Sequence, residues 1–338
     1  MRDKLVSWFQ QEYPNICKDM MEANHTYDHI NPNKFHAEGT VWTHTMMVMT
    51  WIEATAPAAT KEVLLLTALL HDIGKPSTQE LIPADETRPD RYRFSGHEGV
   101  STMKAISILK RYQLHHNLPH KALIGALYLV STHGSYIPDN CYLAAHRRAF
   151  RQADKNGAIR KVDESDQSLQ YKPHKYAKRS PVADKELIIL TGLPCSGKST
   201  YVEALEGYTI VSRDALIMQL APCGLSYNEA YQKLHATAED RKHLDAMFDK
   251  MVNYAVKQDK VVIDMTMMSL SARRKMLNIF SNHTAYSKVF LTDMSTIHKR
   301  NEARIGKTIP EFVLDNMSKS FLIPTIEEGF EDVEAILV

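Results

Sequence analysis

The sequence predicts a multidomain chain: an all-α half over residues 1–160, a linker over 161–185, and an α/β half with a parallel sheet over 186–338. Three observations carry this. The chain has 338 residues, which at roughly 150 per domain suggests about two domains, each long enough to bury a core. Apolar residues of the first half fall in helix-length runs, whereas those of the second half fall in short β-branched runs ending at polar residues. Most of the 16 His precede residue 175, so the halves differ in chemistry as well as in pattern.

Taken in order, Val41–Thr55 and Val63–Leu70 are dense in Leu, Met, Trp and Ala and read as helices. Asp85–Asp90, polar and carrying Pro89, reads as a loop. Val100–Tyr112 and Lys121–Thr132 are further helices, and Cys141–Asn156 is another that ends near Gly157. Lys161–Lys185 is polar, with Pro173 and Pro181, and reads as the linker. Glu186–Thr191 is a strand, and Thr209–Val211, Lys260–Asp264 and Lys288–Leu291 repeat its character. Helical stretches between them indicate parallel pairing.

Composition narrows the function classes. Apolar residues at 44% and charged residues at 24% exclude a wholly disordered chain. Lys plus Arg is 41 and Asp plus Glu is 40, giving a net charge of +1, so any basic surface is local. No apolar run reaches the roughly 20 residues of a membrane span, and Met1–Gln10 lacks a signal-peptide core. Cys17, Cys141, Cys195 and Cys223 lie far apart with no CxxC pair. That argues against a zinc finger or disulfide framework and leads us to expect a cytoplasmic, membrane-free protein.

The strongest motif is Gly192-Leu193-Pro194-Cys195-Ser196-Gly197-Lys198-Ser199-Thr200, a GxxxxGK[ST] loop between a strand and a helix. Its backbone N–H groups suit an anionic phosphate, aided by the helix N-terminus. Lys198 supplies a charge for the β/γ-phosphates and Ser199 a hydroxyl for Mg²⁺. ATP or another NTP with Mg²⁺ is therefore the expected ligand. Asp214, in Ser212-Arg213-Asp214, follows the next apolar run and could take a proton from an attacking hydroxyl. Asp264 and Thr266 end another strand. Arg300 and Arg304, spaced i,i+4, would share one helix face and suit a lid over phosphates.

In the first half, His71-Asp72 closes a very apolar helix, where a buried charge is costly unless paired or metal-bound. With His44 and Asp154 it offers imidazoles and carboxylates suited to a divalent transition metal such as Mn, Fe, Co, Ni or Zn. His36, His115, His116, His120 and His146 fit surface or capping roles instead.

These motifs carry family resemblances. From about Lys185 onward the chain resembles the 5′-hydroxyl polynucleotide kinase family: P-loop, Arg-Asp element, D-x-T strand end, R-x-x-x-R lid, then Ile309, Pro310 and Val313, and Glu328-Gly329-Phe330. The resemblance implies catalytic roles for Lys198, Asp214, Arg300 and Arg304, with Asp214 as base on a 5′-OH and Asp264 and Thr266 lining the acceptor. Three positions depart from the family. Cys195 stands where Gly is frequent. Ile217 stands where an Arg can hold the acceptor phosphate, leaving Arg213 or Arg273 as substitutes. Met267 follows the D-x-T threonine where Asn is frequent.

Residues from about 20 to 160 resemble the HD phosphohydrolase superfamily through His44, His71, Asp72 and Asp154. That implies a metal-activated water at a catalytic Asp72 centre. His97 and His133 would bind a second metal or substrate phosphate, and Lys75 would contact the phosphate. The whole chain resembles the HD-domain polynucleotide kinases, end-healing enzymes. The resemblance implies 5′ phosphorylation of RNA or DNA ends, removal of a 2′,3′-cyclic phosphate or a 2′/3′-phosphate, and a functional link to a polynucleotide ligase. The alternatives are a small-nucleotide or metabolite kinase fused to a nucleotidase, and a chain in which one half is a catalytically dead binding module.

Overall fold

The computed structural model describes residues 1–27, 36–86, 89–134, 143–159, 180–181 and 184–338. The linker expected at 161–185 and the Cys141 end of the last helix of the first half lie largely outside them. The chain divides into two compact units, Met1–His174 with Ser318–Leu322, and Lys175–Met317 with Ile323–Val338.

Among the described residues the first unit has eight helices: α1 (Arg2–Glu12), α2 (Pro14–Glu22), α3 (Val41–Thr55), α4 (Ala58–Leu70), α5 (Lys75–Thr78), α6 (His97–His116), α7 (His120–Thr132) and α8 (Ala144–Asn156). Thr40 caps α3, its hydroxyl accepting from Thr43 N. Helix α4 starts earlier than its apolar run because Pro57, at the N-cap, admits a polar first turn at Ala58. Every residue from Leu64 to Leu70 is buried, so this C-terminal part of α4 has no solvent face; α3, α7 and α8 pack against α4. The all-helical expectation is amended by a short antiparallel hairpin, β1 (Glu80–Ile82) with β2 (Arg91–Arg93). The polar stretch Asp85–Asp90 falls between these two strands.

The turn after α4 carries His71 and Asp72 toward α6. Gly74 makes this possible. A Cβ there would lie 2.5 Å from the carbonyl oxygen of His97 and 2.7 Å from Ser101 N, and its own N–H donates to Ser101 Oγ at 2.9 Å.

The second unit is a five-stranded sheet of order β4-β5-β3-β6-β7, parallel throughout. Its strands are β3 (Glu186–Thr191), β4 (Thr209–Val211), β5 (Lys260–Ile263), β6 (Thr284–Leu291) and β7 (Asp332–Leu337). Leu187 and Ile189 of β3 face one core while Ile188 and Leu190 face the other, the alternation of a strand covered on both sides. Helices α9 (Lys198–Glu203), α10 (Arg213–Leu220), α11 (Tyr227–Leu234), α12 (Ala238–Ala255), α13 (Leu270–Ile279), α14 (Met294–Glu302) and α15 (Glu311–Ser318) complete the unit. Strand β6 begins four residues earlier than its apolar run, and β7 pairs along it in register from Tyr286↔Asp332 to Leu291↔Leu337. Because β3 is central, the loop that follows it opens at the carboxyl edge of the sheet, flanked by the ends of β5 and β6.

Candidate active sites

In the first unit, five elements converge on one buried carboxylate, three of them carrying the expected HD-superfamily residues. His44 comes from α3, His71 and Asp72 from the turn after α4, and Asp154 from α8. Nε2 of His44 stands 3.0 Å from Asp154 Oδ1 and 3.9 Å from Asp72 Oδ2. Nε2 of His71 stands 3.2 Å from the same Asp72 oxygen and 3.7 Å from Asp154 Oδ1. On the other side of Asp72, Nε2 of His97 lies 3.4 Å and Nε2 of His133 3.8 Å from Oδ1. The turn at the start of α6 and the end of α7 thus bring His97 and His133 into the same cluster.

The imidazoles are oriented from behind. Nδ1 of His71 donates to Ala68 O at 2.8 Å, that of His97 to Phe94 O at 2.8 Å, and that of His133 to Val130 O at 2.7 Å. A carbonyl only accepts, so each Nδ1 carries the hydrogen and each Nε2 turns a lone pair inward. Nε2 atoms of His97 and His133 are 3.1 Å apart, a separation that two facing lone pairs tolerate only with a proton or a cation between them.

A divalent metal fits this donor set. Asp72 Oδ1 and His71 Nε2 are buried without a hydrogen bond, the condition that ligation relieves, while Asp72 Oδ2 is ion-paired with Lys75. His44, His71 and Asp72 form one group of ligand atoms within 4.8 Å of each other, and Asp72, His97 and His133 form a second. Asp72 therefore offers one oxygen to each group.

Burial alone would lower the His44 imidazole, but the Asp154 carboxylate and then Glu38 outweigh it and lift it to about 9. Burial raises the Asp72 and Asp154 carboxyls, but neighbouring side chains hold both well below the usual range, His71 and Lys75 at Asp72 and His44 at Asp154. Burial, then His97, takes His133 down to about 4.

Three residues near this centre carry no motif in the sequence: Glu38, His36 and His25. Glu38 Oε1 lies 2.8 Å from Nδ1 of His44 and 3.0 Å from Nδ1 of His36. His36 is thus not a surface or capping residue; it sits against the cluster, stacked on His25 at 4.5 Å. Lys75, expected to reach phosphate, is buried, its Nζ 2.7 Å from Asp72 Oδ2 and 3.0 Å from His25 Nε2.

In the second unit, the Gly192–Thr200 loop follows β3 and opens α9. Gly192 N donates to Thr266 O at 3.0 Å, fastening the loop to the end of β5. Cys195 and Gly197 adopt left-handed backbone, φ 64 and φ 102. Cys195, where the resembled family favours Gly, accepts that conformation at a cost of about 1–2 kcal/mol, and the resulting turn aims successive N–H groups at one point. Lys198 Nζ folds back onto Gly192 O at 2.9 Å and Leu193 O at 2.5 Å. Burial lowers its ammonium to about 8, against the opposing field of Asp264. Ser196 is buried, whereas Ser199 and Thr200 are exposed on the first turn of α9. Leu193 is buried in the core and Pro194 is half-buried in this turn.

Asp214 sits on the first turn of α10. Its Oδ1 accepts from the Tyr227 hydroxyl at 2.8 Å and its Oδ2 from Lys307 Nζ at 2.8 Å. Burial would raise its carboxyl, yet Lys307 and then Tyr227 hold it below the usual value. Burial raises that of Asp264, with Lys198 opposing. Arg300 Nη1 donates to Cys195 O at 3.1 Å, at the phosphate loop.

Two expectations fail in this unit. Arg300 and Arg304 do not share a helix face. Helix α14 ends at Glu302, because Asn301 turns its amide onto the following loop, accepting from Ile309 N at 2.9 Å and donating to Ile309 O at 2.8 Å. Arg273 does not face an acceptor. It is fully buried, held by both oxygens of Glu328 at 2.7 and 2.8 Å and by the carbonyls of Met267 and Met268. Arg213 is paired with Asp245 at 2.6 Å and lies over the Phe248 ring.

Residues 41–150 match the family model of the HD domain, and residues 187–324 match that of an AAA domain. The chain is an HD hydrolase domain followed by a P-loop kinase domain. It is 24% identical over 168 residues to a bifunctional polynucleotide phosphatase/kinase of Schizosaccharomyces pombe, an alignment covering 45% of this chain and 33% of that protein. The chain thus matches about a third of its curated relative's length. Among solved structures, a putative kinase from Chloroflexus aurantiacus is similar, with a TM-score of 0.34 and 17% identity, covering 46% of this chain and 85% of that one. A gluconokinase from Sinorhizobium meliloti is similar at a TM-score of 0.31 and 20% identity, covering 48% of this chain and 85% of that one. The kinase domain implies a nucleotide with Mg²⁺, and the HD domain implies a divalent metal. Among the described residues no helix is long and apolar enough to cross a membrane.

Proposed function

We propose that the kinase domain phosphorylates the 5′-OH of an RNA or DNA end and that the HD domain removes a 2′,3′-cyclic phosphate or a 2′/3′-phosphate. The observation that carries this is Asp214. It is an ionised carboxylate at the sheet edge beside the phosphate loop, in the same chain as a buried imidazole–carboxylate centre. The similarity to a polynucleotide phosphatase/kinase supports the choice of polymer.

In the kinase step, Asp214 takes the proton of the acceptor hydroxyl as its oxygen bonds to the γ-phosphorus. The bond from the γ-phosphorus to the β–γ bridging oxygen breaks, and the nucleoside diphosphate leaves with that electron pair. Lys198 leaves the loop carbonyls to hold the β/γ-phosphates, Ser199 would hold Mg²⁺, and Arg300 and Arg304 neutralise charge on the transferring group. Asp264 and Thr266 line the acceptor side.

In the HD step, His44, His71, Asp72 and Asp154 would hold a divalent metal, with His97 and His133 completing a second position through Asp72. The metal polarises water and a phosphoryl oxygen when bound. The protein holds the imidazoles in one tautomer and keeps Lys75 beside the centre. Such products are what a polynucleotide ligase requires, a 5′-phosphate and a 3′-OH. The test is an RNA bearing a 5′-OH and a 2′,3′-cyclic phosphate, incubated with NTP, Mg²⁺ and a series of transition metals, with both ends mapped. Healing of neither end, with phosphorylation of a mononucleoside or metabolite instead, refutes the reading.

A further inference from the structure

Helix α11 carries more aromatic surface than its packing needs. It rests on the core of the second unit through Ala230, which is fully buried, with Tyr227 and Leu234 packed beside it. Tyr231 lies off that stripe and is 45% exposed. It nonetheless belongs to a row of rings at i, i+4 and i+8: Tyr227, Tyr231 and His235. That spacing keeps the three near one face, each about one turn beyond the last. The Tyr231 and His235 rings are stacked, with centroids 4.0 Å apart and planes 20° apart. Tyr227 and Tyr231 stand 6.2 Å apart at 36°, an open wedge.

The row is anchored at both ends. The Tyr227 hydroxyl donates to Asp214 Oδ1 at 2.8 Å, so the row starts at the carboxylate assigned to the acceptor hydroxyl. His235 donates from Nδ1 to Tyr231 O at 2.8 Å, which fixes its ring, and its own carbonyl accepts from Arg241 Nη1 at 2.7 Å. Arg241, an exposed residue, thereby brings a guanidinium to the far end. Glu229 and Asp240 are spent on capping: each closes a capping box, with Ser226 at the start of α11 and with Thr237 at the start of α12.

We propose that the Tyr227–Tyr231–His235 row is a stacking platform for the unpaired bases that follow the 5′ nucleotide of a single-stranded nucleic acid. Two features select this occupant. The row leads away from Asp214, so a strand whose 5′ hydroxyl reaches that carboxylate continues along it. The surface is aromatic with a cation at its far end, the combination that holds single strands by base stacking and backbone charge without reading sequence. A small turn of the exposed Tyr231 ring opens the wedge for one base, and the outer face of His235 takes the next. This deepens the polynucleotide reading above and rests on it.

The experiment compares two single-stranded 5′-OH tetranucleotides, prepared as RNA and as DNA. One is intact; the other carries abasic spacers at its second and third positions, which removes the bases and keeps every phosphate. Each is assayed on the full-length protein and on the variants Tyr231→Phe, Tyr231→Ala and Tyr231→Ala with His235→Ala. Stacking a base on an aromatic ring is worth about five- to a hundredfold. The wild type is therefore expected to favour the intact acceptor by at least about fivefold in kcat/KM, chiefly through the acceptor KM. The double variant should bring that ratio to about one by losing on the intact acceptor alone. Tyr231→Ala should fall between, Tyr231→Phe should keep the ratio, and KM for the NTP should not move. A wild-type ratio of one, a ratio that survives the double variant, or an equal loss on both acceptors overturns the inference while leaving the polynucleotide reading intact. If the wild type phosphorylates neither tetranucleotide nor a longer 5′-OH oligonucleotide, that reading fails and the inference with it.

Discussion

Glu38 gives the sharpest test of how the HD centre is held. Its buried carboxylate lies between Nδ1 of His36 and Nδ1 of His44, and Oε2 also accepts from Ile159 N at 2.8 Å. Glu38→Gln keeps the shape and one acceptor oxygen but removes the charge behind His44. Hydrogen bonds to charged groups contribute about 1.5–3 kcal/mol, and losing such a partner behind a metal-ligating histidine weakens metal binding about ten- to a hundredfold. Calorimetric titration of the chelator-treated protein with Mn²⁺ should therefore show an affinity lower by about 1.4–2.7 kcal/mol in Glu38→Gln, with nucleotide affinity of the kinase domain as the folding control. Unchanged Mn²⁺ affinity would refute the argument that this carboxylate orients the ligand. Parallel losses of metal and nucleotide affinity would point to unfolding instead.

Lys198 should make nucleotide binding pH-dependent. Its nucleotide-free ammonium titrates at about 8, and bound phosphates raise that value, so above pH 8 binding takes up a proton. Nucleotide affinity should be flat below about pH 8 and fall by up to about tenfold per unit above it, and fluorescence titration of Lys198→Met should show no such break. Arg273→Ala strands Glu328 as a buried charge and should cost about 3–5 kcal/mol in urea unfolding, whereas a surface acceptor contact would leave stability unchanged. Gly74→Ala pushes a methyl against His97 O and Ser101 N; it should cost about 1–3 kcal/mol and weaken transition-metal binding with it.

Much of this architecture is legible in the amino-acid pattern. Strand Glu186–Thr191 coincides with its apolar run, because a strand buried on both faces has no polar alternation to confuse its limits; Thr209–Val211 also coincides with its run, although it is an edge strand with Ile210 exposed. The four residues His44, His71, Asp72 and Asp154 converge because the apolar helices α3 and α4 position the first three and the buried face of amphipathic α8 positions the last. Glu38 and His36 give no such signal for the opposite reason: they precede α3 in a stretch without periodicity, and only tertiary packing folds it onto His44. Strand β7 hides its pattern as an edge, where Asp332 and Glu334 alternate with apolar neighbours. Arg273 resembles any basic residue of an amphipathic helix; its partner, Glu328, is 55 residues away.

The central claim is that one chain holds two separate catalytic centres. It is tested most directly by Lys198→Ala and Asp72→Ala, each incubated with a 5′-OH RNA carrying a 2′,3′-cyclic phosphate while both termini are mapped. Lys198→Ala should leave the 5′ end unphosphorylated and still clear the 3′ end, and Asp72→Ala should do the reverse. Loss of both reactions in either folded variant contradicts the account.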